Sequence, residues 1–265
     1  MWTDRPRSPF GTLPAIHQGS GPQVVALHGV GLRAESWGGQ LSGLADAGFS
    51  VIAPDMLGHG HAPLGGAKRL ADFAEPIVAA LDRPTCLIGH SMGALLAMQI
   101  AALNPDHVVG VAALNGIYDR PPQATAAVQA RADAIDPRLA PDPTPTLERW
   151  FGSAGSDERR ACQRWLTSMD PAAYAVAYRA FAYDAGPQTD TLAQLTCPGL
   201  FITGADEPNS TPAMSQAMAA ATPDGQAVIV ADAAHMMPMT HANAVTQTLI
   251  QFLTTRVFAN QKDPS

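Results

Sequence analysis

The sequence predicts a doubly wound, mostly parallel α/β sheet with one helical insertion. Three observations lead there. Six short, continuous apolar runs recur along the chain, as strands do in a sheet covered on both faces. Stretches with helical periodicity fill the intervals, which argues for right-handed strand–helix–strand crossovers. The rhythm then fails between residues 117 and 190, where helical patterns continue without a strand candidate.

In chain order, strands are expected at 24–28, 49–53, 85–89, 108–114, 199–203 and 227–230. Helices are expected at 34–47, 70–81, 92–103, 212–221 and 242–258. The interruption opens with a proline-rich segment from Pro121 to Pro145 and continues with helical patterns carrying Trp150, Phe151, Trp165, Tyr174 and Tyr178. The expected division is therefore a core made of 1–116 and 191–265, with 117–190 inserted as a helical lid. Its aromatics either fill the insertion's own small core or line a pocket beneath it, with Trp150 a candidate for the pocket. The tail 261–265 is expected to fray.

The 265 residues and 46% apolar content suffice for one large core, and only 15% charged residues rules out a disordered chain or a coiled coil. A formal net charge of −7 argues against nucleic acid or an anionic membrane as a partner, because nothing basic offsets the phosphates. An anionic small molecule stays open, since it needs only a local arginine. Cys86, Cys162 and Cys197 lie far apart and read as small buried hydrophobes in a reducing compartment. The first residues lack the apolar stretch of a signal peptide, so a cytoplasmic location is expected.

Gly89-His90-Ser91-Met92-Gly93 follows the third strand and opens a helix. This is the G-x-S-x-G nucleophile elbow in the strand–turn–helix setting it requires. The turn is too tight for side chains two positions either side of the serine, hence the glycines. The serine hydroxyl is lifted to a helix N-terminus, where developing negative charge is favoured. The pentapeptide alone is modest evidence, and its setting supplies the rest. An oxyanion needs two preorganised donors. Here they are the backbone N–H of Met92 and one from the loop His28-Gly29-Val30-Gly31, for which Val30 is chosen. The alternative for that loop is a plain glycine-rich turn, and His28 reads as structural.

The order of His28-Gly29, then Pro54-Asp55-Met56-Leu57-Gly58-His59-Gly60, then Gly89 to Gly93, then an acid-bearing loop and a late histidine resembles the α/β-hydrolase superfamily. The resemblance covers the chain apart from the insertion and implies the α/β-hydrolase fold. It implies that Asp55 and His59 organise a loop and that the base lies just after the last strand. His235 takes that place, with His241 explained as a helix start. Relatives place Gly-x-x-Asp after the fifth strand. This chain has Gly204-Ala205-Asp206-Glu207-Pro208, which puts Glu207 in the acid position, with Asp206 as the alternative if the loop shifts by one residue. Within the superfamily, Leu27 to Gly31 with Trp37, Arg149-Trp150-Phe151 with Asp170-Pro171, and Thr203 to Pro212 are similar to the enol-lactonase and small-ester esterase group.

These residues point to a serine hydrolase that cleaves a small carboxylic ester or lactone through an acyl-enzyme, with no metal or organic cofactor. For the pocket, Arg33 is a candidate to meet a substrate carboxylate, against the simpler account of an exposed arginine at a helix start. Met236 and its neighbours are candidates for an apolar, adaptable wall, or for core. Two other classes share the scaffold: a ligand receptor with slow turnover, and a carbon–carbon bond hydrolase or lyase using the same pocket.

Overall fold

The computed structural model describes residues 2–259; the tail expected to fray lies outside them. Eight strands form one sheet in the order β1-β2-β4-β3-β5-β6-β7-β8. These are β1 (Ser8–Phe10), β2 (Leu13–Gln18), β3 (Gln23–Leu27), β4 (Ser50–Pro54), β5 (Thr85–His90), β6 (Val108–Leu114), β7 (Gly199–Gly204) and β8 (Gly225–Val230). From β3 onward every neighbour is parallel, whereas β1 and β2 are antiparallel. The six apolar runs are thus the parallel strands, within a residue or two. Of the two additional strands, β1 carries Pro9 on the sheet edge, where a missing N–H is tolerated, and β2 carries Pro14 opposite it; their short mixed sequence gives no periodic signal.

Alternation within the strands explains why both faces must be covered. Val25 and Leu27 of β3, Leu87 of β5 and Phe201 of β7 enter one core. Val24, Ala26, Ile88, Leu200 and Ile202 enter the other. On the first face lie α2 (Leu70–Ala79) and α3 (Met92–Leu103); on the second lie α1 (Gly38–Asp46) and α11 (Ala242–Phe252). The helix α3 is apolar on all sides because the sheet and the insertion both bury it. Between β6 and β7 stand α4 (Pro122–Asp133), α5 (Thr144–Phe151), α6 (Asp157–Ser168) and α7 (Pro171–Ala182), with no strand among them. The short α8 (Thr189–Ala193) leads back to the sheet, α9 (Pro212–Ala221) joins β7 to β8, and α10 (Met237–Thr240) precedes α11. Among the described residues, no helix is long and apolar enough to cross a membrane.

The strand order reverses between β3 and β5: the chain leaves β3 to reach β4 on one side, then returns to lay β5 on the other. A crevice forms outside the carboxyl ends of strands at such a switch point. The loop after β3 and the turn after β5 both open into it.

Candidate active site

Ser91 stands alone between β5 and α3, with φ 56° and ψ −116°. A non-glycine residue held in this region costs about 1–3 kcal/mol, and its surroundings must fix it there. The Ser91 N–H extends the sheet ladder by donating to the Leu114 carbonyl at 2.9 Å. A Cβ on Gly89 would lie 2.0 Å from the Gly93 carbonyl oxygen, and one on Gly93 would lie 2.1 Å from that of Leu27. The spacing of glycines seen in the sequence is therefore a steric requirement of helix α3 crossing the ends of β3 and β5.

The loop after β3 faces this turn. Neither the Val30 nor the Met92 backbone N–H has an acceptor among the described residues. Buried His28 ties the loop down: its Nδ1 donates to the Gly29 carbonyl at 2.8 Å, and its Nε2 accepts the Met56 N–H at 3.1 Å. Burial pushes the pKa of His28 down, consistent with that neutral tautomer. Asp55 accepts from the Ala34 and His61 N–H groups at 2.9 Å each and from Arg7 Nε at 2.9 Å. Arg7 also reaches Glu35 at 2.7 Å. Burial alone would raise the carboxyls of Asp55 and Glu35; the Arg7 hydrogen bonds and backbone donors overcome it and hold both below their ordinary range.

Arg33 belongs to the same ionic cluster. Its Nε donates to Glu35 at 2.8 Å, and its Nη2 lies 2.9 Å from both Asp4 and His61. It does not line the cavity that holds Ser91. The expectation that Arg33 meets a substrate carboxylate is corrected on this point: its guanidinium is already engaged by Glu35 and Asp4. Met236 is corrected in the same way. It is buried beneath the insertion with Trp2, Leu32 and Leu147, and it too is absent from the cavity wall.

On the far side of the crevice, His235 Nδ1 lies 2.9 Å from Glu207 Oε2. Glu207 is buried, and its other oxygen accepts the Asn209 and Ser210 N–H groups at 2.8 and 3.3 Å. Burial opposes its ionisation, but the His235 contact and those two donors outweigh it and bring its pKa down to about 2. Asp206 points to solvent and makes no side-chain hydrogen bond among the described residues. His241 stands just before α11 and bonds to the Thr240 hydroxyl. The His235 carbonyl accepts from His90 Nε2 at 2.8 Å and Asn115 Nδ2 at 2.7 Å, while Asn115 Oδ1 accepts from the Thr203 hydroxyl at 3.0 Å. Sequence reading missed both of these residues. The signal for Asn115 was a polar residue at the carboxyl end of an apolar strand. Trp150 stacks on the His235 ring, with centroids 5.9 Å apart and planes at 20°.

Ser91, His235, Trp150, Val30 and Asn115 line one cavity of about 230 Å³ beneath the insertion. That is below the roughly 300–1,000 Å³ of sites for drug-sized ligands, so its occupant is small. No hydrogen bond joins Ser91 Oγ to His235 among the described residues; such contacts in an unliganded site often tighten only with substrate. The wall also carries Arg120, Arg131 and Arg149, none of which was read as part of a site.

A model of the alpha/beta hydrolase family matches residues 24–248. The (E)-2-((N-methylformamido)methylene)succinate hydrolase of Acinetobacter baylyi is 36% identical over 92% of this chain and 95% of its own. Among solved structures, an esterase from Thermogutta terrifontis with malate bound is 26% identical, covers 92% of this chain and 93% of its own, and superposes with a TM-score of 0.82. The enol-lactonase of Burkholderia xenovorans is 23% identical over 94% of this chain and 100% of its own, with a TM-score of 0.78, a likeness of fold. By sequence match and by architecture, the chain belongs to the α/β-hydrolase family.

Proposed function

We propose that the protein is a serine hydrolase that cleaves the acyl bond of a small carboxylic ester or lactone through Ser91, His235 and Glu207. The observation that carries this reading is the buried Glu207 carboxylate on His235 Nδ1, beside the cavity that Ser91 enters. A carboxylate there keeps the proton on Nδ1 and leaves Nε2 as the base. His235 Nε2 takes the Ser91 proton as Oγ bonds to the substrate carbonyl carbon. The Val30 and Met92 N–H groups hold the resulting oxyanion. The imidazolium then gives its proton to the leaving oxygen as the C–O bond breaks, and the acyl group stays on Ser91. Water, deprotonated by the same imidazole, releases the acid and restores the hydroxyl. The helices α4–α7 act as a cap that limits water over the acyl-enzyme.

The name of the Acinetobacter baylyi relative supports a second reading, in which the bond cleaved is an amide-type linkage of an acid-bearing compound. The catalytic residues would be unchanged. The test common to both is Ser91→Ala, assayed with short p-nitrophenyl esters, lactones and N-acyl analogues over many turnovers. Loss of at least 10³-fold in kcat with native thermal stability is expected, in line with removal of a triad nucleophile. Near-wild-type turnover by the variant would sink the proposal. Labelling of Ser91 by a fluorophosphonate without multiple turnover on any substrate would favour a receptor instead.

A further inference from the structure

We infer that the cavity wall built from α4 and α7 is a carboxylate subsite held by Arg120 and Arg131, so that the substrate carries a free acid group remote from the bond attacked at Ser91. This rests on the hydrolase reading above and narrows its substrate class.

Arg120 sits immediately before α4, with its guanidinium carbon 5.2 Å from the centroid of the Phe181 ring on α7. Nη1 donates to the Ala182 carbonyl at 3.3 Å. Nη2 is enclosed and has no hydrogen-bond partner among the described residues. A buried N–H of a charged group left without an acceptor is unfavourable and is rare in a folded protein. Among the described residues, Arg131, on α4, donates only through Nε to the Tyr178 hydroxyl, at 3.3 Å. Tyr178 and Phe181 are edge to face with centroids 6.3 Å apart, so the two rings that these arginines touch adjoin one another.

Charge bookkeeping strengthens the case. The chain has 23 acidic against 16 basic residues, so acceptors are plentiful. Arg7, Arg33, Arg69, Arg83, Arg138, Arg160, Arg179 and Arg256 are all ion-paired. Of the six arginines with no ion pair among the described residues, Arg5, Arg159 and Arg164 lie away from the cavity; the others are Arg120, Arg131 and Arg149, the last on α5 with its side chain bonded to Thr146 at 3.0 Å. All three line the Ser91 cavity. Burial lowers the pKa of Arg120, and the like charge of Arg131 lowers it further, while Asp184 offsets this in part without pairing. A purely structural Arg120 would place an acceptor on Nη2. An incoming carboxylate supplies one, relieves the repulsion between the two cations, and matches the planar fork of either guanidinium.

The test uses the full chain with Ser91→Ala, titrated with succinate by calorimetry, alone and combined with Arg120→Met, Arg120→Lys or Arg131→Gln. Succinate is expected to bind, and to bind at least tenfold more weakly to the Arg120→Met and Arg131→Gln proteins, with Arg120→Lys losing less than Arg120→Met. With Ser91 intact, the ratio of kcat/KM for mono-p-nitrophenyl succinate to that for p-nitrophenyl acetate should fall at least tenfold in the same variants. Because Arg131 is exposed, its variant keeps the test valid if Arg120→Met fails to fold. Unchanged succinate affinity and an unchanged ratio in the Arg131→Gln and Arg120→Lys proteins would overturn the subsite and leave the hydrolase reading standing. Tighter binding of inorganic phosphate than of succinate would also overturn it. Arginine-dependent succinate binding with no turnover of either ester would support the subsite and refute the hydrolase reading.

Discussion

Replacing Glu207 with Gln separates the role of its charge from that of its shape. The carboxylate has three partners: His235 Nδ1 on one oxygen, and the Asn209 and Ser210 N–H groups on the other. An amide has one oxygen to offer. Turned toward His235, it sets its NH₂ against two backbone donors and leaves both unsatisfied in a buried loop, at about 1–3 kcal/mol each. Turned toward the backbone, it presents NH₂ to Nδ1, so the ring must accept there and carry its proton on Nε2. The second arrangement is favoured by about 2–6 kcal/mol, which suppresses the tautomer able to take the Ser91 proton by roughly 30-fold to 10⁴-fold. The upper end is the order lost when a triad carboxylate becomes an amide elsewhere. The assay is kcat/KM on p-nitrophenyl acetate between pH 6 and 9, with the rate of fluorophosphonate labelling at Ser91 as a check independent of deacylation. Asp206→Asn is the control, expected within threefold of wild type. Stability gives a second readout. The folded pKa of Glu207 is depressed from an ordinary 4.5 to about 2. Its contribution, on the order of 3 kcal/mol, is therefore present above about pH 4.5 and lost as the pH falls toward 2. Urea unfolding should show Glu207→Gln less stable at pH 7, with the gap closing at pH 3. If Glu207→Gln stays within tenfold of wild type while Asp206→Asn collapses, the acid has been assigned to the wrong residue.

Two further outcomes are expected. Asn115→Ala removes one of two donors on the His235 carbonyl, so kcat should fall about 10-fold to 100-fold with little change in KM; parallel loss of stability and activity, with a normal kcat in the folded fraction, would show a merely structural role. Glu35→Gln leaves the buried Arg7 and Arg33 guanidinium groups short of a counter-charge, for a loss of about 3–5 kcal/mol and a Tm lower by roughly 6–20 °C; an unchanged Tm in scanning calorimetry would show that the cluster does not hold the loop that carries Val30.

The parallel strands and the elbow were legible because their physics is local. A strand buried on both faces must be apolar at every position, and β5 reads Thr-Cys-Leu-Ile before the glycine that α3 demands. That Glu207 and not Asp206 meets His235 follows the count from Gly204, since the loop is pinned at both ends: Gly204 is overlain by the Ala233 carbonyl, and Thr203 bonds to the Ser210 carbonyl. Residues whose place depends on contacts distant in sequence were not legible. Arg33 read as a free arginine because two of its three partners, Asp4 and His61, come from other segments, and a pairing with nearby Glu35 leaves no mark in the sequence. Arg120 and Arg131 carry no signal in the sequence, since no spacing within 117–190 says which helix faces the sheet. Met236 sits one residue from His235 yet turns the other way, into the core under the insertion.

One feature of the architecture ties these residues together. Ser91, His235 and Glu207 come from the ends of β5, β8 and β7, and nothing in the strands themselves fixes the heights of those ends relative to one another. Asn115, at the end of β6, spans the gap. Its own φ of 49° turns the chain so that one amide group shares the Thr203 hydroxyl proton at the end of β7 with the Ser210 carbonyl and holds the His235 carbonyl after β8. His90, the residue before Ser91, holds that same carbonyl from the β5 side. Burial and the neighbouring His235 ring push its pKa down to about 3, so it stays a neutral donor across the working range of the imidazole beside it. His235 is thereby located by its backbone from two strands, and by its ring from Glu207. A strained serine is productive only if its partner cannot drift, and these four hydrogen-bonding groups bring the end of every strand from β5 to β8 to bear on one imidazole.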